Sequence, residues 1–271
     1  MKAVKRIIIA TIIGAIIQNL IFLYIEKIYL VNRSDYSIQK VDSNEAADNL
    51  EVNVSEDAED IRASYDGRYI SYMINNNLEI YNTKDGSKNI YKEVIGKLAC
   101  YEWLTDCNKM IVIEKIIKGG TQYFVPISYD GKTSEASEIT DFDMNEIKIK
   151  CGSSQSKVDK VAFSTASSSL YIKVENENGK SDLYYANQMN QLEKVKSEAS
   201  IGNIVVPITS TNAVIEMGNK ISILNGSNNI TIPNVSNPKI LGTDKNNKVF
   251  FCNDNNGKTD IIYYADITEE K

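Results

Sequence analysis

From residue 60 onward the chain alternates short apolar runs with polar turns, and the same order returns several times. One unit reads Ile61-Arg-Ala-Ser-Tyr-Asp-Gly-Arg-Tyr-Ile-Ser-Tyr-Met73, then Asn77-Leu-Glu-Ile-Tyr81 and a turn ending at Asp85-Gly86. Another reads Val161-Ala-Phe-Ser164, Ser169-Leu-Tyr-Ile-Lys-Val174, the turn Asn178-Gly179-Lys180, and Asp182-Leu-Tyr-Tyr-Ala186. A third reads Ile240-Leu-Gly-Thr-Asp244, Lys248-Val-Phe-Phe-Cys252, the turn Asn256-Gly257-Lys258, and Asp260-Ile-Ile-Tyr-Tyr-Ala265. Weaker copies begin at Tyr101-Glu-Trp-Leu104 and at Ile204-Val-Val-Pro207. Period-two alternation predicts strands, and Asn-Gly or Asp-Gly between them predicts hairpins, because both residues accept positive φ. Each unit therefore predicts a short strand, a polar turn, an apolar strand, a tight turn, a third strand and a looser fourth.

Third-strand anchors fall at Leu78, Tyr123, Leu183, Ile221 and Ile261. Apart from the long interval before Leu183, they recur every 40 residues or so, and a four-stranded unit with a period of about 40–45 residues marks a β-propeller. The long interval predicts an insertion around Asp141–Lys157. The fold class is all-β: a propeller of about five blades, with six as the alternative, each of four strands. The last unit runs out after its third strand. Leu50–Val54 alternates correctly and precedes the first unit, so it is expected to pair with Thr259–Ala265 and close the ring. Tyr36–Val41 is a second short alternating piece.

The repeats resemble those of TolB-type propellers and of the propeller domains of prolyl-oligopeptidase-like proteins. The resemblance rests on Ser64-Tyr-Asp-Gly-Arg-Tyr-Ile-Ser-Tyr72 with Leu78-Glu-Ile-Tyr81 and on the Asp182 and Asp260 hairpins, and it covers residues 58–271. It implies a fold and no particular activity. Typical members have six or more blades, and five are counted here.

Only the N-terminus breaks the strand pattern. Ile7 to Ile25 carries no charge, and at about 1.5 Å per residue a helix of that length covers about 28 Å, the thickness of a bilayer core. Lys2, Lys5 and Arg6 precede it, which by the positive-inside rule keeps the N-terminus in the cytoplasm and the rest of the chain outside. The run ends in Leu-Tyr-Ile-Glu-Lys-Ile-Tyr29 with no small-x-small site, so an uncleaved anchor is expected rather than a signal peptide. Gln18 and Asn19 in mid-span could bond to another helix or be merely tolerated. The expected organisation is a cytoplasmic stub and anchor over 1–30, an acidic linker over 31–49, and a propeller over 50–271.

Charge and composition narrow the chemistry. The net charge of −6 includes a basic N-terminus, so the remainder is more acidic still. That excludes a phosphate-binding stripe, and no nucleic-acid partner is expected. The chain has no His, which removes Ser-His-Asp and Cys-His catalysis and His-containing zinc sites. Cys100, Cys107, Cys151 and Cys252 form no CxxC pair. Free, partly buried thiols are the plainer expectation, and only Cys100 and Cys107 are near enough in sequence to suggest a bridge. There is no GxGxxG, Walker A or GxSxG segment, and no cofactor is expected.

Candidate binding residues are Arg62, Tyr101, Glu102 and Trp103, on first strands that would line a propeller's funnel. Trp103 would otherwise pack between blades. Glycosidase chemistry needs two carboxyls about 5–10 Å apart; Glu102, Asp141, Asp143, Glu146 and Asp159 lie at or near first strands, and an acidic solvated rim accounts for them equally. Asp141, Asp143 and Glu146 are the weak metal candidates, and no metal is expected. The reading is a membrane-anchored, extracytoplasmic, non-catalytic binding or scaffold module for a protein, peptide or wall polymer. A carboxylate-based glycan hydrolase or lyase, and a structural subunit of a membrane complex, stand as alternatives.

Overall fold

Asn75 and Asn76 stand between two apolar runs with φ of 49° and 62°, the paired left-handed geometry that turns a strand back on itself. They join β3 (Tyr69–Ile74) to β4 (Asn77–Asn82). With β2 (Glu59–Ala63) before them and β5 (Lys88–Ile90) after, they make blade 1, ordered β2-β3-β4-β5. The computed structural model describes residues 5–6, 14–15, 17–22, 38–40, 52–224, 229–255 and 258–267. Its contacts divide the chain into two units, Tyr36–Thr268 and Met1–Asp35 with Glu269–Lys271.

The plan of blade 1 recurs. Blade 2 contains β6 (Lys97–Trp103), β7 (Lys109–Lys118) and β8 (Thr121–Asp130), the last two joined at Gly119-Gly120, both with positive φ. Its fourth strand is split: β9 (Glu135–Glu138) and β10 (Ile149–Lys150) both pair with β8. The insertion predicted over Asp141–Lys157 begins between them and runs past β10 to the start of the next blade. Blade 3 is β11 (Lys157–Ser164), β12 (Ser169–Glu175), β13 (Ser181–Ala186) and β14 (Leu192–Ala199). Blade 4 is β15 (Ile201–Val205), β16 (Val214–Met217), β17 (Lys220–Ile223) and β18 (Asn229–Ile230). Blade 5 takes β19 (Pro238–Thr243), β20 (Lys248–Asn255) and β21 (Lys258–Asp266) from the C-terminal part of the chain.

The fourth strand of blade 5 comes from the N-terminal side, and here the structure corrects the expectation. It is β1 (Ile38–Lys40), paired antiparallel with β21 through Ile38↔Ala265, Gln39↔Tyr264 and Lys40↔Tyr263. Val52–Val54 lie in no strand, and Leu50 and Glu51 fall outside the described residues. Alternation suits Leu50–Val54 to a strand, but alternation does not say which of two such pieces reaches the open edge. The closing strand lies inside the stretch expected to be linker.

Blades stack face to face, so their middle strands are buried on both sides. Along β12 every residue from Ser169 to Val174 is buried, which explains uninterrupted apolar runs where one-sided sheets would alternate. The same geometry sets both members of an adjacent Tyr pair against apolar cores. Tyr184 packs against the core shared with blade 2, and Tyr185 against the core shared with blade 4. Four apolar clusters fill the interfaces 1/2, 2/3, 3/4 and 4/5. Burial at about 25 cal/mol per Å² of apolar surface is the main force holding such a ring.

In the N-terminal unit, the described residues of the expected span, 14–15 and 17–22, are helical and exposed. Asn19 donates its amide to the Ala15 carbonyl, 2.9 Å, one turn back. Among the described residues no helix is long and apolar enough to cross a membrane; most of 7–25 falls outside them.

Candidate functional site

In every blade the first strand pairs irregularly with the second. The register slips between Glu59 and Arg62, Leu98 and Cys100, Val158 and Lys160, Ile201 and Ile204, and Ile240 and Gly242. A bulge adds twist and re-aims side chains, and five in equivalent places shape one shared surface. The first strands border two adjoining cavities. One, of about 200 Å³, is bordered by Glu102, Lys160, Phe163, Asn203, Leu241 and Thr243. The other, of about 570 Å³, is bordered by Arg62, Tyr65, Glu102, Thr243, Asp244 and Asn246. Glu102, Trp103, Leu104, Thr105 and Thr243 belong to both. Contribution from β2, β6, β11, β15 and β19 places these cavities at the axis of the ring.

A chain of charges crosses this mouth. Arg62 on β2 donates through Nε to Asp60 at 2.8 Å and through Nη1 to Glu102 Oε2 at 2.7 Å. Lys160 on β11 donates to the same Glu102 oxygen at 2.7 Å. Glu102 thus links blade 1 to blade 3 across blade 2. Burial by itself would lower the Arg62 pKa; Glu102 and Asp60 outweigh it and raise it. The guanidinium stays charged and lies over the Tyr101 ring, 4.7 Å from its centroid. Opposite this charged arc the smaller cavity is neutral, formed by Asn203, Thr243 and Leu241, the last 47% exposed.

The predicted site residues separate into two groups. Arg62 and Glu102 meet at the mouth. Tyr101 borders neither cavity: it is buried, its hydroxyl donates to the Asp60 carbonyl, and burial pushes its phenol up to about 12. Trp103 borders both cavities but is only 6% exposed. It stacks on Tyr69 at 5.9 Å, and its Nε1 donates to Ser71 Oγ at 2.8 Å. It is chiefly the wedge between blades 1 and 2. Lys160, Asn203, Leu241 and Thr243 were missed. Each lies on the first strand of its own repeat but out of register with Arg62 and Glu102, whose equivalents are Ala162, Ile204 and Gly242, so only the assembled ring brings it to the mouth.

The three weak metal candidates do not converge. Asp141 accepts from Asn145 through its backbone N–H at 2.7 Å and its side-chain amide at 3.0 Å, closing its own turn. Glu146 is paired with Lys148 at 2.8 Å and Lys118 at 3.3 Å. Asp143 is exposed on the turn between them. Among the described residues no group of His, Cys, Asp or Glu could hold a metal. None of Asp141, Asp143, Glu146 and Asp159 borders an axial cavity. Asp66 and Asp244, which do, cap their own turns through the Arg68 and Lys248 N–H groups.

All four cysteines are free thiols. Burial pushes Cys100 up to about 11, far from the thiolate that nucleophilic chemistry requires.

No family model matches the chain, and no curated protein matches it in sequence. Solved structures do. The acylaminoacyl peptidase of Pyrococcus horikoshii aligns over 80% of this chain and 39% of its own, at 15% identity and a TM-score of 0.50. TolB from Acinetobacter baumannii aligns over 77% of this chain and 54% of its own, at 9% identity and a TM-score of 0.45. The β-propeller domain of the Trilobed protease from Pyrococcus furiosus aligns over 76% of this chain and 66% of its own, at 15% identity and a TM-score of 0.48. The chain thus spans less than two thirds of each. At 15% identity what the first comparison shares is the fold; the chain is itself a five-bladed β-propeller of four-stranded blades, the second with its fourth strand split.

Proposed function

We propose that the chain is a non-catalytic binding or scaffold module that engages a protein, a peptide or a wall polymer at the axial mouth, and that residues 7–25 anchor it with the propeller outside the membrane. The observation that carries the reading is the mouth itself. Three of its charged side chains, Arg62, Glu102 and Lys160, are spent on one another, and Asp66 and Asp244 on their own turns, while the smaller cavity leaves Leu241 half exposed beside Asn203 and Thr243. A surface with paired charges on one side and open apolar contact on the other suits recognition, where loops and strand ends on a rigid ring select a partner. The anchor is supported by Lys2, Lys5 and Arg6 before an uncharged run.

The test is capture on the immobilised chain, using cell-surface extract and purified wall polymer as separate probes. Lys160→Glu, which breaks the charged arc, should abolish retention while the unfolding curve stays cooperative. Retention unaffected by Lys160→Glu and by Leu241→Asp would move the site off the axis. Turnover of esterase, peptidase or glycosidase substrates would overturn the non-catalytic reading. For topology, protease added to intact cells should digest the propeller; survival there with digestion after lysis would reverse the orientation.

A further inference from the structure

The two axial cavities differ in lining, and the difference bears on what fills them. Their bordering cations are Arg62, Lys160 and Lys245 and their bordering anions Glu102, Asp66 and Asp244, so charge balances at the mouth of a chain that is acidic overall. A polyanion or a polycation gains little from such a surface. Hydrogen-bonding capacity remains in it. Arg62 is engaged through Nε and Nη1, and Glu102 through Oε2; the guanidinium keeps Nη2 and the carboxylate keeps Oε1 for a ligand, on side chains 24% and 26% exposed. A donor and an acceptor on paired side chains suit adjacent hydroxyls, because each hydroxyl both donates and accepts. Tyr65, on the turn after β2, is 46% exposed at the rim of the larger cavity, and the negative face of its ring attracts polarised C–H groups. The smaller cavity is mostly apolar, bordered by Ile111, Val161, Phe163 and half-exposed Leu241 with the Asn203 amide among them.

We propose that the mouth binds an uncharged sugar chain bearing N-acetyl groups, with a sugar ring on Tyr65, its hydroxyls on Arg62 and Glu102, and an acetamido methyl in the smaller cavity against Leu241. The inference rests on the axial-mouth reading above and narrows it to a wall polymer. The larger cavity, about 570 Å³, falls within the range of about 300–1,000 Å³ usual for ligand clefts. Glu102, Trp103 and Thr243 border both cavities, so one ligand can occupy the two together. A sugar ring has an apolar face and a hydroxyl edge, and so uses Tyr65 and the Arg62–Glu102 pair at once; a peptide presents no such ring.

Trp103, the single Trp of the chain, borders both cavities and reports their occupancy by its emission. The full chain, in a detergent without a sugar headgroup, is titrated with the tetramers of N-acetylglucosamine, glucose and galacturonate, with calorimetry alongside. The acetylated tetramer should bind saturably, the glucose tetramer about tenfold more weakly, and the galacturonate tetramer not at all. Tyr65→Ala should weaken the acetylated tetramer about tenfold and Tyr65→Phe less than about threefold, both with the unfolding curve of wild type. Leu241→Asp should remove the preference for the acetylated tetramer. No saturable binding of that tetramer, equal binding of all three, or binding indifferent to Tyr65→Ala would overturn the proposal. A cell-surface protein retained by the immobilised chain and lost with Lys160→Glu, without sugar binding, would sink the sugar and leave the axial reading standing; failure of both would move the site off the axis.

Discussion

The interface between blades 1 and 2 and the seam between blades 5 and 1 face the same axis, and they are built in opposite ways. At the first, Trp103 is wedged between Tyr69 and Ser71, and a buried carboxylate, Glu114, accepts from the Tyr91 hydroxyl at 2.7 Å and from the N–H groups of Val94, Ile95 and Gly96, each at 2.8 Å. The strap from blade 1 to blade 2 is thereby pinned to β7, and burial together with the Glu114 bond pushes the Tyr91 phenol far above its ordinary range. At the second, a cavity separates the blades, and a backbone strand three residues long completes the sheet. Sequential blades can bury large side chains against each other because they are covalently joined and fold as neighbours. The first and last blades meet only at the end, and a strand borrowed across the chain is a sufficient fastening.

Breaking the packed interface should cost most. Trp103→Ala is expected to lose about 3–5 kcal/mol of stability in urea unfolding, the range for removing a buried aromatic residue. Glu114→Ala strands three backbone donors and a phenol, and should lose about 3 kcal/mol; a loss under about 1 kcal/mol would mean the strap is not held there. At the 4/5 interface Glu216 is buried, accepts from the Ile240 N–H at 2.5 Å, and fits only because residue 202 is Gly: a Cβ there would collide with the carboxylate. Glu216→Ala should lose about 2 kcal/mol.

A smaller, pH-dependent effect belongs to Asp182 in the blade 3 hairpin. Burial would raise its carboxyl, but Lys194 at 2.6 Å and the Glu198 N–H at 2.9 Å outweigh burial and hold it below the ordinary Asp range. A folded pKa below the unfolded one contributes stability above the unfolded value of about 3.9, and that contribution is lost as pH falls through the folded value. The melting temperatures of wild type and Asp182→Asn should therefore converge as the pH falls below about 4, and a constant gap would contradict the assignment. At the seam, Tyr65→Ala and Asn246→Ala should stay within about 0.5 kcal/mol of wild type.

How much of this was legible depends on what each signal reports. Turn residues and alternation act locally, so the Asn178-Gly179 hairpin and the strands around Leu183 could be placed from sequence, and their recurrence marked the blades. The split of β9 from β10 was visible as a long interval. Partnering across the ring is not local: Ile38–Lys40 and Leu50–Val54 both alternate, and only the position of the β21 edge chooses between them. The site was half legible for the same reason. Arg62 and Glu102 could be named from their place on first strands, whereas burial of Tyr101 and Trp103 depends on a neighbouring blade, and Lys160 becomes part of the mouth only when blade 3 swings it to Glu102.

The central claim is a five-bladed ring closed by Ile38–Lys40, and thermal unfolding of two truncations tests it most directly. A chain beginning at residue 36 retains β1; a chain beginning at residue 45 lacks β1 and keeps Leu50–Val54. Losing three ladder pairs at about 0.5–1.5 kcal/mol per bond should lower the melting temperature by about 5–10 °C and leave an edge prone to association. The account predicts that drop between the two truncations, with the longer one melting as the full chain does. Equal melting temperatures, with the fall appearing only when residues 50–54 are removed, would contradict it.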